Sequence, residues 1–400
     1  MSVQVEKNFL GLDEQWLLRN KGIHTAMEIA GQPQLWKDTF RKLSNEQGAI
    51  SEFMSHVLSQ DNLDIVLTGA GTSAFIGEAL ESYVKKYTEK TTRAVHTTDL
   101  VSFPEDYLYT DRPTLLVSFA RSGNSPESVG AVDVANLLCE NVYHLIITCN
   151  PEGKLAVQNT DNSSACCFIL PAEANDKSLA MTGSFTAMII SGLLIARIGD
   201  LHVLESQVNL VSESAQLLLD SYTDKIKEVA SLKFDRGVFL GSGPLLGVAR
   251  ESHLKLQELT DGQVVCKYDS CLGFRHGPKA VIKDKTIIVF HFANDPFAAH
   301  YENDLVKEIW ARKDGMFRVG IGKAGVNTEF LDLLIELEGV DDLDEALLSV
   351  VSVLPAQILG FFKCIDVGLN PDEPSKSGNI SRVVKGVTIY TYNKSDEKVR

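Results

Sequence analysis

Ile65-Val-Leu-Thr-Gly-Ala-Gly71 and Gly237-Val-Phe-Leu-Gly-Ser-Gly243 are the same apolar run closed by the same pair of glycines, 172 residues apart. A β-type run ending in Gly-x-Gly is a strand feeding a tight turn into a helix. The offset continues without a gap: Thr114-Leu-Leu-Val117 falls on Thr286-Ile-Ile-Val289, and Leu145 and Ile147 fall on Phe317 and Val319. Three matched segments in one register make the chain an internal duplication. The copies differ where the strands end. After its glycines the first has Thr72-Ser73 and the second Pro244-Leu245; after the next strand the first has Ala120-Arg-Ser-Gly-Asn-Ser125 and the second Phe292-Ala-Asn-Asp-Pro-Phe297.

Around these anchors, β-type and helical patterns alternate from 64 to about 197: Ile65 to Thr68, then 74 to 87; Leu115 to Phe119, then 125 to 139; His144 to Thr148, then Lys154 to Val157; Cys166 to Leu170, then 182 to 197. Such alternation predicts an α/β fold, a mostly parallel sheet with helices on both faces. The expected organisation is a helical lead-in over 1–58, broken at Gln32-Pro33; a first domain over 59–200; an amphipathic helical bridge over 201–230; and a second domain over 231–395, whose proline-rich tail ends in a β-type run, Gly386 to Tyr392.

Composition narrows the function. The chain has 400 residues, 44% hydrophobic, enough for two real cores. Cys139, Cys149, Cys166, Cys167, Cys266, Cys271 and Cys364 form no Cys-x-x-Cys pair and are odd in number, which argues against a disulfide framework and for a reducing cytoplasm. The N-terminus has no apolar h-region and the longest apolar stretches carry Gly, Gln or Pro, so neither export nor a membrane span is expected. A net charge of −15 opposes nucleic-acid binding.

The hydroxyl-rich loops of the first copy suit an anion. Gly71, Thr72 and Ser73 open a helix, where backbone N–H groups and the positive helix end gather negative charge. Arg121, Ser122, Gly123 and Ser125 follow the next strand, and loops at the carboxyl ends of an open sheet share one crevice. Together they could supply the donors that a phosphate monoester needs. Pro244, Asn294 and Phe297 cannot form the same cradle.

Strand-Gly-x-Gly-Thr-Ser and strand-Arg-Ser-Gly-Asn-Ser resemble the sugar isomerase (SIS) domain, which binds phosphosugars, and two in tandem resemble the isomerase half of glucosamine-6-phosphate synthase. The likeness extends through Glu28-Ile-Ala-Gly-Gln-Pro33, Lys255-Leu-Gln-Glu258-Leu, Gly273-Phe-Arg-His276-Gly-Pro278 and Arg382-Val-Val-Lys385-Gly-Val-Thr. In length and in Leu-Gly-Phe-Arg-His-Gly-Pro it is similar to the AgaS-type group, named galactosamine-6-phosphate deaminase/isomerase and also tagatose-6-phosphate ketose/aldose isomerase. No counterpart of the synthase's glutamine-hydrolysing domain is expected, and position 2 is Ser.

The resemblance implies roles: Glu258 as the base moving a proton between C2 and C1, His276 as the ring opener, Lys255 fixing Glu258 or a sugar hydroxyl, and Lys385 closing over the open-chain sugar. Thr182 and Ser184 would line the sugar pocket. In the synthase the histidine comes from the neighbouring subunit, which implies a homodimer with the active site at the interface. The partner expected is a small phosphosugar, with no metal or organic cofactor. Three alternatives stay open: isomerisation without deamination, a glucosamine 6-phosphate or fructosyl-amine substrate, and a phosphosugar-sensing regulator. Against the regulator stand both Glu258 and His276.

Overall fold

The computed structural model describes residues 8–326, 328–384 and 386–392. After a two-residue ladder of β1 (Asn8–Phe9) and β2 (Leu12–Asp13), helices α1 (Glu14–Arg19), α2 (Ile23–Ala30), α3 (Gln32–Asn45) and α4 (Gln47–Leu58) form the lead-in. Pro33 stands in the first turn of α3, so it starts a helix there.

The first domain runs β3 (Asp64–Thr68), α5 (Thr72–Thr88), β4 (Thr91–Ala94), α6 (Thr97–Ser102), α7 (Pro104–Tyr107), β5 (Thr114–Ala120), α8 (Pro126–Leu138), β6 (Val142–Thr148), α9 (Lys154–Gln158), β7 (Ala165–Ile169) and α10 (Gly183–Ala196). The bridge is one helix, α11 (Leu201–Ser231). The second domain runs β8 (Arg236–Gly241), α12 (Pro244–Leu259), β9 (Val265–Asp269), α13 (Cys271–Phe274), β10 (Thr286–His291), α14 (Pro296–Arg312), β11 (Phe317–Gly322), β12 (Leu333–Glu336), α15 (Glu345–Ser352) and α16 (Leu354–Asp366).

Both sheets are five-stranded and parallel, in the orders β4-β3-β5-β6-β7 and β12-β11-β10-β8-β9. The duplication is visible in the pairing. Ile65 lies opposite Leu115 and Gly237 opposite Ile287, which preserves the offset of 172. At the third strand the register slips: Val117 pairs Leu145, but Val289 pairs Val319, so Leu145 corresponds to Val319 rather than to Phe317. A shift of two leaves every side chain on its own face of the sheet, which is why the ungapped alignment still matched apolar residues there.

Apolar helices fill the space between the sheets. Glu345–Asp366, across α15 and α16, is apolar enough to cross a bilayer but is 94% buried inside the protein. The tail corrects one expectation: the described residues from 386 to 392 form no strand. They lie over α6 and α8, with Ile389 against Gly130 and Val101, and with Tyr392 packed into that cluster and bonded to Glu105, where no strand edge is on offer.

The two domains meet through α5 and α12, the helices that follow the two glycine turns. Thr72 lies by Glu251 and Ala79 by Gly247, so the helices run in opposite directions. Glu78 and Arg250, equivalent positions 172 apart, form an ion pair across this contact. A Cβ on Gly247 would sit 2.8 Å from Ala79 N and 2.9 Å from Phe75 O. Gly247→Ala is therefore expected to destabilise the protein by about 1–3 kcal/mol, read as a lower urea midpoint; an unchanged midpoint would contradict so close a backbone approach.

Candidate active site

Three of the helices that begin at the carboxyl edge of the first domain's sheet, α5, α8 and α10, start in different ways. Asp176 caps α10: its carboxylate accepts from Thr182 N at 2.9 Å, Gly183 N at 3.1 Å and Ser184 N at 3.0 Å, and from both hydroxyls. Thr182 and Ser184 are fully buried and their hydroxyls serve this cap. Ser125 caps α8, accepting from Ser128 N at 3.3 Å, and the Ser122 hydroxyl accepts from Asn124 N at 3.3 Å. The start of α5 carries no side-chain cap. Gly71, at φ +57 and ψ −127, turns the chain so that Thr72 and Ser73, both buried, form its first turn with no side chain over it.

Arg121 has a different task from direct display. Its guanidinium is buried and donates to the carbonyls of Leu179 (3.1 Å), Ser178 and Arg382. Arg382 in turn donates to Asp176 O at 2.9 Å and to Asn175. Glu28 of the lead-in accepts from Lys177 N at 2.6 Å and from Ser178; burial, then the Asp176 charge, push its carboxyl up to about 7. The 175–179 segment is thus held by the lead-in, by the loop after β5 and by the C-terminal tail. The tail is also tied to the second domain, Ser375 and Ser377 bonding Asp261 just past α12. Lys385 lies outside the described residues.

Because α5 and α12 run in opposite directions, the C-terminal end of α12 extends past the first turn of α5. There Lys255 Nζ donates to Glu258 Oε2 at 2.6 Å and stands 3.4 Å from Glu251 Oε1. Glu258 keeps some exposure while Lys255 is buried, and Arg121 is close enough to act electrostatically on both. The dry environment on this helix falls on Glu251, whose carboxyl is pushed up to about 8 by burial, against the pull of Lys255. Glu251 was not singled out in the sequence, yet Glu251, Lys255 and Glu258 repeat at i, i+4 and i+7, one face of a helix.

His276 is exposed and follows α13. Phe274 packs with Leu305 and Ile309 of α14 on one face of the second sheet, whereas Leu245, Val248 and Leu256 of α12 pack in the core on the other. Within one chain the sheet stands between His276 and Glu258. A cleft of 600 Å³ between α14 and the residues after β11 holds none of the expected site residues.

The SIS domain model matches residues 57–197. Over 392 residues the chain is 38% identical to the D-galactosamine-6-phosphate deaminase AgaS of Shewanella sp. (strain ANA-3), covering 97% of each. It superposes on the tagatose-6-phosphate ketose/aldose isomerase of Escherichia coli with a TM-score of 0.85, at 35% identity over 93% of this chain and 97% of that one. A Clostridium novyi structure provisionally described as the same isomerase gives a TM-score of 0.93 at 40% identity, over 96% of this chain and 100% of that one.

The second copy has kept the turn and closed the cradle. Gly243 repeats φ +57 with ψ −132. Asn294 donates to Val340 O at 2.6 Å and Leu343 O at 3.1 Å, drawing a loop across the edge. The buried Glu302 accepts from Ala293 N at 3.0 Å, so the strand-end amide is occupied from within. Burial pushes the Glu302 carboxyl from 4.5 up to about 7. Since the folded value is the higher one, ionisation costs folding free energy that accumulates as pH rises from 4.5 to about 7 and is constant above. Glu302→Gln should match the wild type in stability near pH 4.5 and exceed it by up to ~3 kcal/mol above pH 7, measured by urea unfolding; no gain at high pH would mean Glu302 is not buried as a carboxyl.

Proposed function

We infer that this chain, which belongs to the SIS-domain family alongside the AgaS-type proteins, converts galactosamine 6-phosphate into tagatose 6-phosphate and ammonia. One observation carries the reading: α12 of the second domain presents the Lys255–Glu258 pair over the uncapped first turn of α5 in the first. A phosphate held at Gly71, Thr72 and Ser73, with the Ser122–Ser125 loop beside it, leaves the far end of a six-carbon chain to reach the carboxylate. The relatives supply the sugar, since an identical base would serve either C4 epimer.

The steps follow from the groups present. An imidazole can pass a proton between the C1 hydroxyl and the ring oxygen, which opens the ring. His276 is that group, and its exposure on the far face of the second sheet supports its use by a neighbouring subunit, in a homodimer. Glu258 takes the C2 proton of the open-chain amino aldehyde, giving an enolamine. Lys255, donating to Glu258, orients the carboxylate and balances the charge as it develops. Return of the proton to C1 leaves a 2-imino sugar, and water adds to C2, expelling ammonia and leaving the ketone. Hydrolysis of the imine is what makes the reaction a hydrolytic deamination.

The kinship with structures named as ketose/aldose isomerases supports a second reading, in which the same proton transfer runs on a sugar lacking nitrogen and stops at the ketose. Ammonia-coupled assays with galactosamine 6-phosphate and glucosamine 6-phosphate separate these: ammonia from the first is expected, and none from either would leave only the isomerase. Glu258→Gln should lower kcat by about 10²–10⁴-fold while calorimetry still finds sugar phosphate bound; undiminished turnover would remove Glu258 from the role. Mixing Glu258→Gln and His276→Asn subunits should restore activity that neither variant has alone, whereas a site built within one chain would stay silent.

A further inference from the structure

The residue least explained by the mechanism above is Glu251. It is fully buried, and neither of its carboxyl oxygens has a well-formed hydrogen bond. Its polar neighbours are the Lys255 ammonium, 3.4 Å away, and the Thr72 hydroxyl of α5. In the duplicate the equivalent position is Ala79, which fits the helix contact without a carboxyl. A buried carboxyl in place of a methyl group is costly unless it does something, and this one joins the first turn of α5 to the Lys255–Glu258 pair.

We propose that Glu251 is a positioning residue that works as a neutral carboxylic acid, directing the Thr72 hydroxyl toward the phosphate of the substrate. The inference rests on the phosphate-binding reading of the first turn of α5. A threonine hydroxyl has one proton to give. When Glu251 is protonated it donates to Thr72 Oγ1, and the Thr72 O–H is free for the phosphate. When Glu251 ionises it takes that O–H, the phosphate loses a donor, and a negative charge appears beside the dianion. Burial favours the neutral form at neutral pH, and a bound dianion favours it further.

Among the described residues around it, Glu251, pushed up to about 8 by burial, is the group set to change state between pH 7 and 9.5. On its own helix, Lys255 is paired with Glu258, whose carboxylate helps hold it charged against burial; His253 is pushed down to about 4 by burial and stays neutral. From the elements packed against α12, His291 is pushed down to about 3, Glu78 is paired with Arg250, Lys267 with Asp269 and Lys363 with Asp366. Burial raises the Tyr83 phenol above its ordinary range, and Arg121 reaches Lys255 as a permanent cation.

The test uses galactitol 6-phosphate, which can neither close a ring nor react and whose phosphate is already a dianion above pH 7. Its Kd for the full chain, measured by calorimetry, should weaken about tenfold from pH 7 to 9.5 as the required proton is lost. In Glu251→Gln, which keeps a donor toward Thr72 at every pH, Kd should stay flat. Thr72→Val should bind at pH 7 about as weakly as the wild type does at pH 9.5, and this arm stands if the glutamine variant does not fold. A wild-type Kd that does not change with pH, the same slope in Glu251→Gln, or tight binding by Thr72→Val overturns the proposal. Because binding is read without turnover, a chain that binds as expected but releases no ammonia would overturn the deaminase reading alone.

Discussion

Two helices pressed backbone to backbone, α5 against α12, decide where every other part of the molecule stands. Their contact is made between equivalent positions of a duplicated unit, Glu78 with Arg250 and Phe75 with Gly247, each pair 172 apart. Equivalent surfaces meeting each other in opposite directions is the geometry of a two-fold contact, here folded into a single chain. It requires a glycine on one side, because the carbonyl of Phe75 occupies the space of a side chain.

From this contact the asymmetry of function follows. Opposed helices carry their C-terminal ends over each other's sheets, so each copy offers side chains to its neighbour's crevice. Copy two offers Lys255 and Glu258; at the same positions copy one offers Tyr83 and Lys86, and Lys86 pairs Asp344 of the second domain at 2.9 Å. The first pairing delivers a base above an uncapped helix start. The second delivers a cation to a carboxylate above a cradle already closed by Asn294 and Glu302. One scaffold contact was thus put to catalytic use on one side and to structural use on the other.

The fold was legible because its information is local. Apolar runs ending in glycine, and helices of period 3.6 between them, locate the central strands to within a residue or two. Three of the four edge strands escaped, Ala165–Ile169 being the exception: Thr91–Ala94, Val265–Asp269 and Leu333–Glu336 are short, and half-exposed edge positions need no continuous apolar run. The register slip at β11 escaped because a shift of two preserves the pattern. The tail's final β-type run reads as a strand for the same local reason, although residues such as Ile389 and Tyr392 were apolar in order to cover helices.

The candidate site divides along a similar line. Gly71, Thr72 and Ser73 became candidates because a strand end places them at a helix start, whereas Lys255 and Glu258 became candidates only through the family resemblance. Arg121 looked like a phosphate ligand because a guanidinium in a hydroxyl-rich loop is the residue type expected there; what the sequence could not show is that carbonyls of Ser178, Leu179 and Arg382, the last of them 261 residues away, engage both of its terminal nitrogens. Thr182 and Ser184 looked free for the same reason, with Asp176 unremarked. Glu251 is the converse case, a charged residue in Arg250-Glu-Ser-His253 that reads as helix surface. Its burial comes from α5, and helix against helix is a relation that no window along one chain contains. Its desolvation therefore follows from the same contact that positions Glu258: the face of α12 that must pass closest to α5 to aim the base is the face that carries Glu251 into the dry interior beside Thr72.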